Sequence, residues 1–318
     1  MEKLLVICGQ TATGKTSFAI DLAKKLNGEI VSADSRQVYA GLDIGTGKDL
    51  PANANFVLES LQLGGYYTVD GVKIWGYDLA EPEEEFSVYH YFKFADKIIK
   101  DIISRNKVPI LVGGTGLYIK AVVDGIHTMS IPRNPQLRKM LGENSRVELF
   151  EKLAEMDALK AASMNASDKK NPRRLIRAIE VAESLARAGT IRVPKDKKKY
   201  DTLLLCFYAG ENKLKEKINK RVDSRLSCGI EEEVKGLIKR GVAWDDQSMT
   251  STGYKEWREY FDKKINKEDV VKEWKKNELK YAKRQKMWFK KDKRLNWVDV
   301  SKNGWHKRLE NLVRKWYS

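Results

Sequence analysis

The sequence predicts an α/β fold with a mostly parallel sheet and a helical insertion. Three observations carry the prediction. The apolar run Leu4–Cys8 leads into Gly9-Gln10-Thr11-Ala12-Thr13-Gly14-Lys15-Thr16 and then into a helical pattern over Ser17–Leu26. This strand, glycine-rich turn and helix start make the phosphate loop of a P-loop NTPase-like core, where backbone N–H groups and the helix dipole favour an anion. Apolar strands then alternate with helices, as in parallel sheets whose ligands lie at the strands' carboxyl ends. From about 124 to 198 those strands vanish and basic helical segments take over.

Residues 1–123 read as the first part of the core. Glu29–Ala33 is a second strand ending at Asp34. Tyr66–Val69 and Val72–Trp75, joined through Asp70-Gly71, form a hairpin with a type I′ turn, read as an excursion from the core. Val88, Phe92, Ala95, Ile98, Ile99 and Ile102 mark a helix over 88–104. Val108–Val112 is a strand stopping at Gly113-Gly114-Thr115-Gly116, where a helix opens. In the insertion, 124–198, helices are expected near 134–142, 145–162 and 171–188, followed by a solvated link over Pro194–Lys199. The chain returns to the core at Thr202–Tyr208, and the rest of 199–318 is mainly helical.

At 318 residues the chain can bury a substantial core. No stretch approaches the ~18 consecutive apolar residues of a membrane span, and the N-terminal run is too short for a secretory signal. Cys8, Cys206 and Cys228 are isolated and there are three histidines, which argues against a disulfide framework or structural zinc. A cytoplasmic location is expected. The net charge of +16 suits a polyphosphate partner better than a small metabolite. Between Lys272 and Arg294 there are 11 Lys/Arg against Glu273, Glu278 and Asp292.

The loop supplies Gly9, Thr11, Ala12, Thr13, Gly14 and Lys15 for phosphate oxygens, and the Thr16 hydroxyl for Mg²⁺. Asp34 suits two roles, a helix cap or a carboxylate serving as magnesium ligand or general base beside the phosphate. Arg173, Arg174 and Arg177 open a helix whose dipole they oppose, which points to an external anion such as RNA phosphate. Trp274, Tyr281 and Trp288 recur every seven residues on a basic helix. They suit base stacking or a core, and Trp274 and Trp288 are read as core.

Together these motifs resemble the tRNA dimethylallyltransferases (tRNA isopentenyltransferases) of bacterial type. Gly9–Thr16 is similar to the family's G-P-T-A-S-G-K-T, with Gln10 for Pro and Thr13 for Ser. Asp34–Tyr39 resembles D-S-x-Q-x-Y, Asp43–Lys48 resembles D-I-G-T-A-K, and Gly113–Tyr118 resembles G-G-T-x-L-Y. Asn171–Glu180 is similar to D-P-x-R-x-x-R-A-L-E, and Arg221–Val234 to R-x-x-x-M-L-x-x-G-x-x-x-E-V. Gly253-Tyr254-Lys255 and Ala282–Trp288 resemble G-Y-[KR] and A-K-R-Q-x-T-W.

The resemblance implies transfer of a dimethylallyl group from dimethylallyl diphosphate to N6 of the adenosine 3′ of a tRNA anticodon (position 37). It gives the diphosphate to the loop, with Mg²⁺ on Thr16, proton acceptance to Asp34 and the leaving diphosphate to Arg221. It gives the flipped base and its neighbours to Asp34, Ser35, Arg36, Gln37 and Thr115. It gives the anticodon stem-loop to Arg138, Arg173, Arg174 and Arg177, with further contacts at Gly253, Tyr254, Lys255, Lys283 and Arg284. A monomer is expected. Asn171 and Gly47 depart from the family's Asp and Ala, and 53–75 is longer than the family's usual link. Three alternatives stand beside this reading: a small-metabolite kinase, a prenyltransferase for free AMP or ADP, and an RNA-binding protein with a relic loop.

Overall fold

A computed structural model describes residues 1–51, 54–188 and 199–317. The chain forms two compact units, one of Met1–Gly125 with Lys198–Ser318, the other of Ile126–Lys197.

The first unit is built on one eight-stranded sheet. Its strands are β1 (Glu2–Gly9), β2 (Gly28–Ser32), β3 (Asn55–Ser60), β4 (Gly64–Val69), β5 (Val72–Trp75), β6 (Val108–Gly113), β7 (Tyr200–Tyr208) and β8 (Asn296–Asp299). Their order is β3-β4-β5-β2-β6-β1-β7-β8. Pairings are parallel from β5 through β2, β6, β1 and β7 to β8, and antiparallel within β3-β4-β5. Leu4–Cys8 and Ile110–Val112 are buried throughout. Strands covered on both faces read as continuous apolar runs, and these two do. Helices α1 (Lys15–Leu26), α2 (Val88–Ser104) and α3 (Gly116–Asp124) follow their expected positions. The buried stripe of α2, Tyr91, Ala95, Ile98, Ile99 and Ile102, has helical spacing.

The second unit is helical: α4 (Pro135–Gly142), α5 (Arg146–Met156), α6 (Ala158–Ser163), α7 (Ala166–Lys169) and α8 (Pro172–Ala188). Leu137, Leu141, Leu149, Leu153, Leu175 and Ile179 form its core. The helix expected over 145–162 is two, because Asp157 leaves helical geometry and its side chain caps α6 through the Lys160 N–H. The solvated link expected over Pro194–Lys199 lies, except for Lys199, outside the described residues.

The remaining helices belong to the first unit: α9 (Glu211–Ser227), α10 (Ile230–Lys239), α11 (Arg258–Phe261), α12 (Lys267–Phe289) and α13 (Trp305–Tyr317). Helix α12 buries Val270, Trp274, Glu278, Ala282, Gln285 and Phe289, a single face at three- and four-residue steps.

Three expectations are corrected. The hairpin is no excursion: β5 pairs with β2 and extends the sheet, and β3 adds an edge strand. Strand β8 was not foreseen in the C-terminal region. Trp274 is core, but Trp288 is 40% exposed. A seven-residue repeat drifts about 20° per heptad on a straight helix, so two heptads carry Trp288 off the buried face.

Candidate active site

The phosphate loop begins where β1 ends. Gly9 has φ 124°, and a Cβ there would fall 2.1 Å from the Phe207 carbonyl oxygen, so only glycine lets β1 lie so close to β7. Ala12 (φ 59°) and Gly14 (φ 79°) both turn left-handed, a geometry that aims successive N–H groups into a concavity suited to anions. Helix α1 has no side-chain cap and no acidic residue in its first turn. By contrast, α2 closes its start with a Ser87–His90 capping box. The uncapped donors of α1 are what a phosphate would satisfy.

The loop is braced from far along the chain. The Gln10 side chain donates to the Ala282 carbonyl at 3.1 Å and accepts from the Ala209 N–H at 3.2 Å. Gln285 accepts the Thr11 N–H at 2.8 Å and donates to the Gly114 carbonyl at 3.2 Å. Neither glutamine was singled out from the sequence as a site residue. Both lie inside quoted motifs, so the signal was present, but their partners are invisible without the fold.

Lys15 donates to the Gln10 carbonyl at 2.7 Å. Burial and the nearby Arg221 guanidinium push its pKa down to about 8, against the pull of Asp34. Arg221, on α9, donates to the Thr11 hydroxyl at 2.8 Å and lies 3.3 Å from Asp49. Lys15, Arg221 and Asp34 therefore share one electrostatic neighbourhood.

Asp34 does not cap a helix. It follows β2 in a turn, where Oδ1 accepts the Arg36 N–H at 2.9 Å. The turn is fixed on several sides. The Ala33 N–H donates to the Val112 carbonyl, and the Thr115 N–H to the Ala33 carbonyl. The Thr115 hydroxyl accepts the Ser35 N–H at 3.0 Å and lies 3.3 Å from the Ser35 hydroxyl. Gln37 accepts from the Ser32 hydroxyl and donates to the Gly47 carbonyl at 2.8 Å. The Arg36 guanidinium binds the Gln247 carbonyl and reaches Thr250. Tyr281 stands beside Thr115, its phenol held neutral by burial and by Asp34.

A second loop, 43–48, is held by one carboxylate. Glu233 accepts the N–H groups of Asp43, Ile44 and Gly45 at 2.8–3.2 Å and the Tyr254 hydroxyl at 2.5 Å. Tyr254 is fully buried, so of Gly253-Tyr254-Lys255 only the Lys255 side chain is exposed to a partner, while the Gly253 N–H donates to Glu256. Lys283 and Arg284 are exposed on α12, Lys283 paired with Glu211 at 2.6 Å and Arg284 over the Tyr281 ring.

In the helical unit the four arginines are not alike. Arg138 binds Glu180 with two hydrogen bonds of 2.7 Å. Arg177 reaches Glu180 at 3.1 Å and the carbonyls of Thr128 and Ile131. Burial raises the Glu180 pKa, but bonds from Arg138, the Asn134 N–H and Arg177 outweigh it and hold it at about 2. Arg174 pairs with Asp168 at the surface, and Arg173 is exposed. The dipole-opposing cluster is thus partly an internal clamp.

A family model described as IPP transferase matches residues 37–292, and one described as isopentenyl transferase matches 2–58. The chain is 37% identical to a tRNA dimethylallyltransferase of Anoxybacillus flavithermus, covering 98% of this chain and 95% of that one. It is 36% identical to one of Halothermothrix orenii, covering 98% and 92%. The crystal structure of a tRNA isopentenylpyrophosphate transferase from Bacillus halodurans superposes with a TM-score of 0.71 at 32% identity, covering 99% and 97%.

Proposed function

The chain belongs to the tRNA dimethylallyltransferase family, and from that premise we propose that its phosphate loop seats dimethylallyl diphosphate while Asp34 works on the target adenosine. The protein is a prenyltransferase that modifies tRNA. One observation supports the site assignment above others. The loop Gly9–Thr16, the Asp34 turn, Gly114-Thr115 and Gln285 meet through direct hydrogen bonds, although they come from four separate stretches of sequence.

The chemistry follows from that meeting. The allylic C1–O bond breaks and its electron pair leaves with the diphosphate. The loop amides, Lys15 and Arg221 stabilise this charge as it develops. N6 of adenosine 37 forms the new bond to C1, and its proton passes to the Asp34 carboxylate. Ser35, Arg36, Gln37 and Thr115 line the approach of the base, which must leave the anticodon stack. Fixed by neighbours on several sides, they meet the base with little left to order. Arg173 and Arg174, with Lys255, Lys283 and Arg284, meet RNA phosphates. Within the helical unit, Arg138 and Arg177 are held by Glu180 on the helix that carries Arg173 and Arg174.

Mg²⁺ fits the loop. The Thr16 hydroxyl, in the first turn of α1, has no hydrogen-bond partner among the described residues. Magnesium commonly takes one or two protein oxygens and completes its shell with phosphate and water. Thr16 would hold it, and bound there it neutralises charge on the diphosphate.

A small-metabolite kinase would account for the phosphate loop and Asp34, but it leaves the basic surface without a role, as does a prenyltransferase for free AMP or ADP. Mass spectrometry of nucleosides from tRNA incubated with the protein and dimethylallyl diphosphate tests the reading. N6-isopentenyladenosine next to the anticodon is expected, with release of diphosphate. Unmodified tRNA together with transfer of label from γ-labelled ATP to a metabolite would overturn it.

A further inference from the structure

The structure assigns to Arg225 the task of positioning the Arg221 guanidinium at the phosphate loop, with Gly47 as the seat both arginines share. The assignment rests on the diphosphate reading above. Arg221 and Arg225 lie four residues apart on α9 and so face the same way. Arg225 is buried. Its Nη1 donates to the Gly45 carbonyl at 2.9 Å and lies 3.4 Å from Glu278, while its Nε has no hydrogen-bond partner among the described residues. Glu278 supplies a buried counter-ion, but a guanidinium with an unfilled Nε donor still costs stability, so the pair alone does not explain why the group is held at this place.

Gly47 does. It has φ 66°, and a Cβ there would fall 2.0 Å from Arg225 Nη2 and 2.2 Å from Arg221 Nη2. The two guanidinium groups occupy the room that glycine leaves. Arg225 is walled in by Gly45 and Glu278 and cannot retreat from its neighbour. Arg221 is partly exposed and can move outward, where it meets Thr11 and Asp49. Repulsion from the inner charge therefore holds the outer guanidinium toward the loop. The Gly47 carbonyl also accepts from Gln37, tying the same seat to the Asp34 turn.

Titration calorimetry with Mg²⁺ and inorganic diphosphate tests this on the wild-type protein, R225M, R225K, G47A and G47A/R225M, with anticodon stem-loop RNA binding as the control. R225M and G47A should each weaken diphosphate binding about tenfold. R225K, whose buried ammonium beside Arg221 gives up its proton more readily than a guanidinium, should bind with an affinity between those of wild type and R225M. In the R225M background, G47A should cost less than about threefold, because the contact it disturbs is already gone. RNA affinity should not change, and in turnover KM for dimethylallyl diphosphate should rise without that for RNA. Wild-type diphosphate affinity in R225M, or strict additivity of the two substitutions, would overturn the role of Arg225. Should R225M not fold, G47A decides: diphosphate binding like that of wild type overturns it. Wild-type protein that binds no diphosphate would instead overturn the reading of the loop, and the role of Arg225 with it.

Discussion

The Lys15 ammonium donates to the Gln10 carbonyl at 2.7 Å, within the loop that carries both residues. With its pKa at about 8, this lysine is charged at neutral pH yet close to losing its proton. A bound diphosphate favours the charged form and so raises that pKa. Diphosphate affinity should then fall as pH climbs above about 8, by up to about tenfold per unit. Lys15→Arg stays charged across this range and should lack the component of the fall due to Lys15. Titrations of both proteins between about pH 7 and 9.5 check it; curves that run parallel would reject it.

Asp34→Asn keeps the size of the side chain and removes its capacity to take a proton. We expect kcat to fall about 10²–10⁴-fold, with stem-loop affinity within about twofold. Single-turnover rates beside RNA binding curves separate the two. Unchanged turnover would remove Asp34 from the proton transfer.

Glu180 should govern the helical unit rather than the chemistry. Its carboxylate accepts from Arg138, Arg177 and the Asn134 N–H while buried. Glu180→Gln breaks a buried ion pair and should cost about 3 kcal/mol, seen as faster hydrogen exchange in α4 and α8 with α1 unchanged. Because its folded pKa of about 2 lies below the unfolded value of 4.5, this stabilisation is fully present above about pH 4.5 and is lost as pH falls toward 2. Exchange in α4 that does not respond to acid in the wild-type protein would contradict the linkage.

Lys283→Ala and Arg284→Ala probe the proposed RNA surface on α12. Each should weaken stem-loop binding for all sequences alike and lower the slope of log K against log salt by about 1. Binding series at several salt concentrations measure that slope. An unaltered slope in both variants would move the RNA contact elsewhere.

Local chemistry made the core of this protein readable. A glycine-rich turn after an apolar run can fold in few ways, and Leu4–Thr16 does what its pattern implies. The same holds for α2, whose stripe needs only one buried side. What the sequence hid depends on long-range partners. Nothing near Tyr66–Trp75 says that β5 will pair with β2, and no local feature gives Glu233 three backbone donors from another loop. Arg138 shows no local sign of being engaged because Glu180 lies 42 residues away, whereas the Arg177–Glu180 pair, 3 residues apart on α8, was within reach of the sequence. The exposure of Trp288 turned on a small mismatch between seven-residue spacing and the helical repeat.

The bracing of the phosphate loop also sets when in the life of the chain it can be finished. Gln10 waits for Ala282, and Thr11 for Gln285, partners 272 and 274 positions further on. At the ribosome's pace of about 5–20 residues per second, that delay is roughly 14–55 s. Throughout it the motif made first lacks the helix that braces it. A chain broken off before Ala282 lacks both braces, so unfinished copies are expected to be inert toward tRNA rather than partly active.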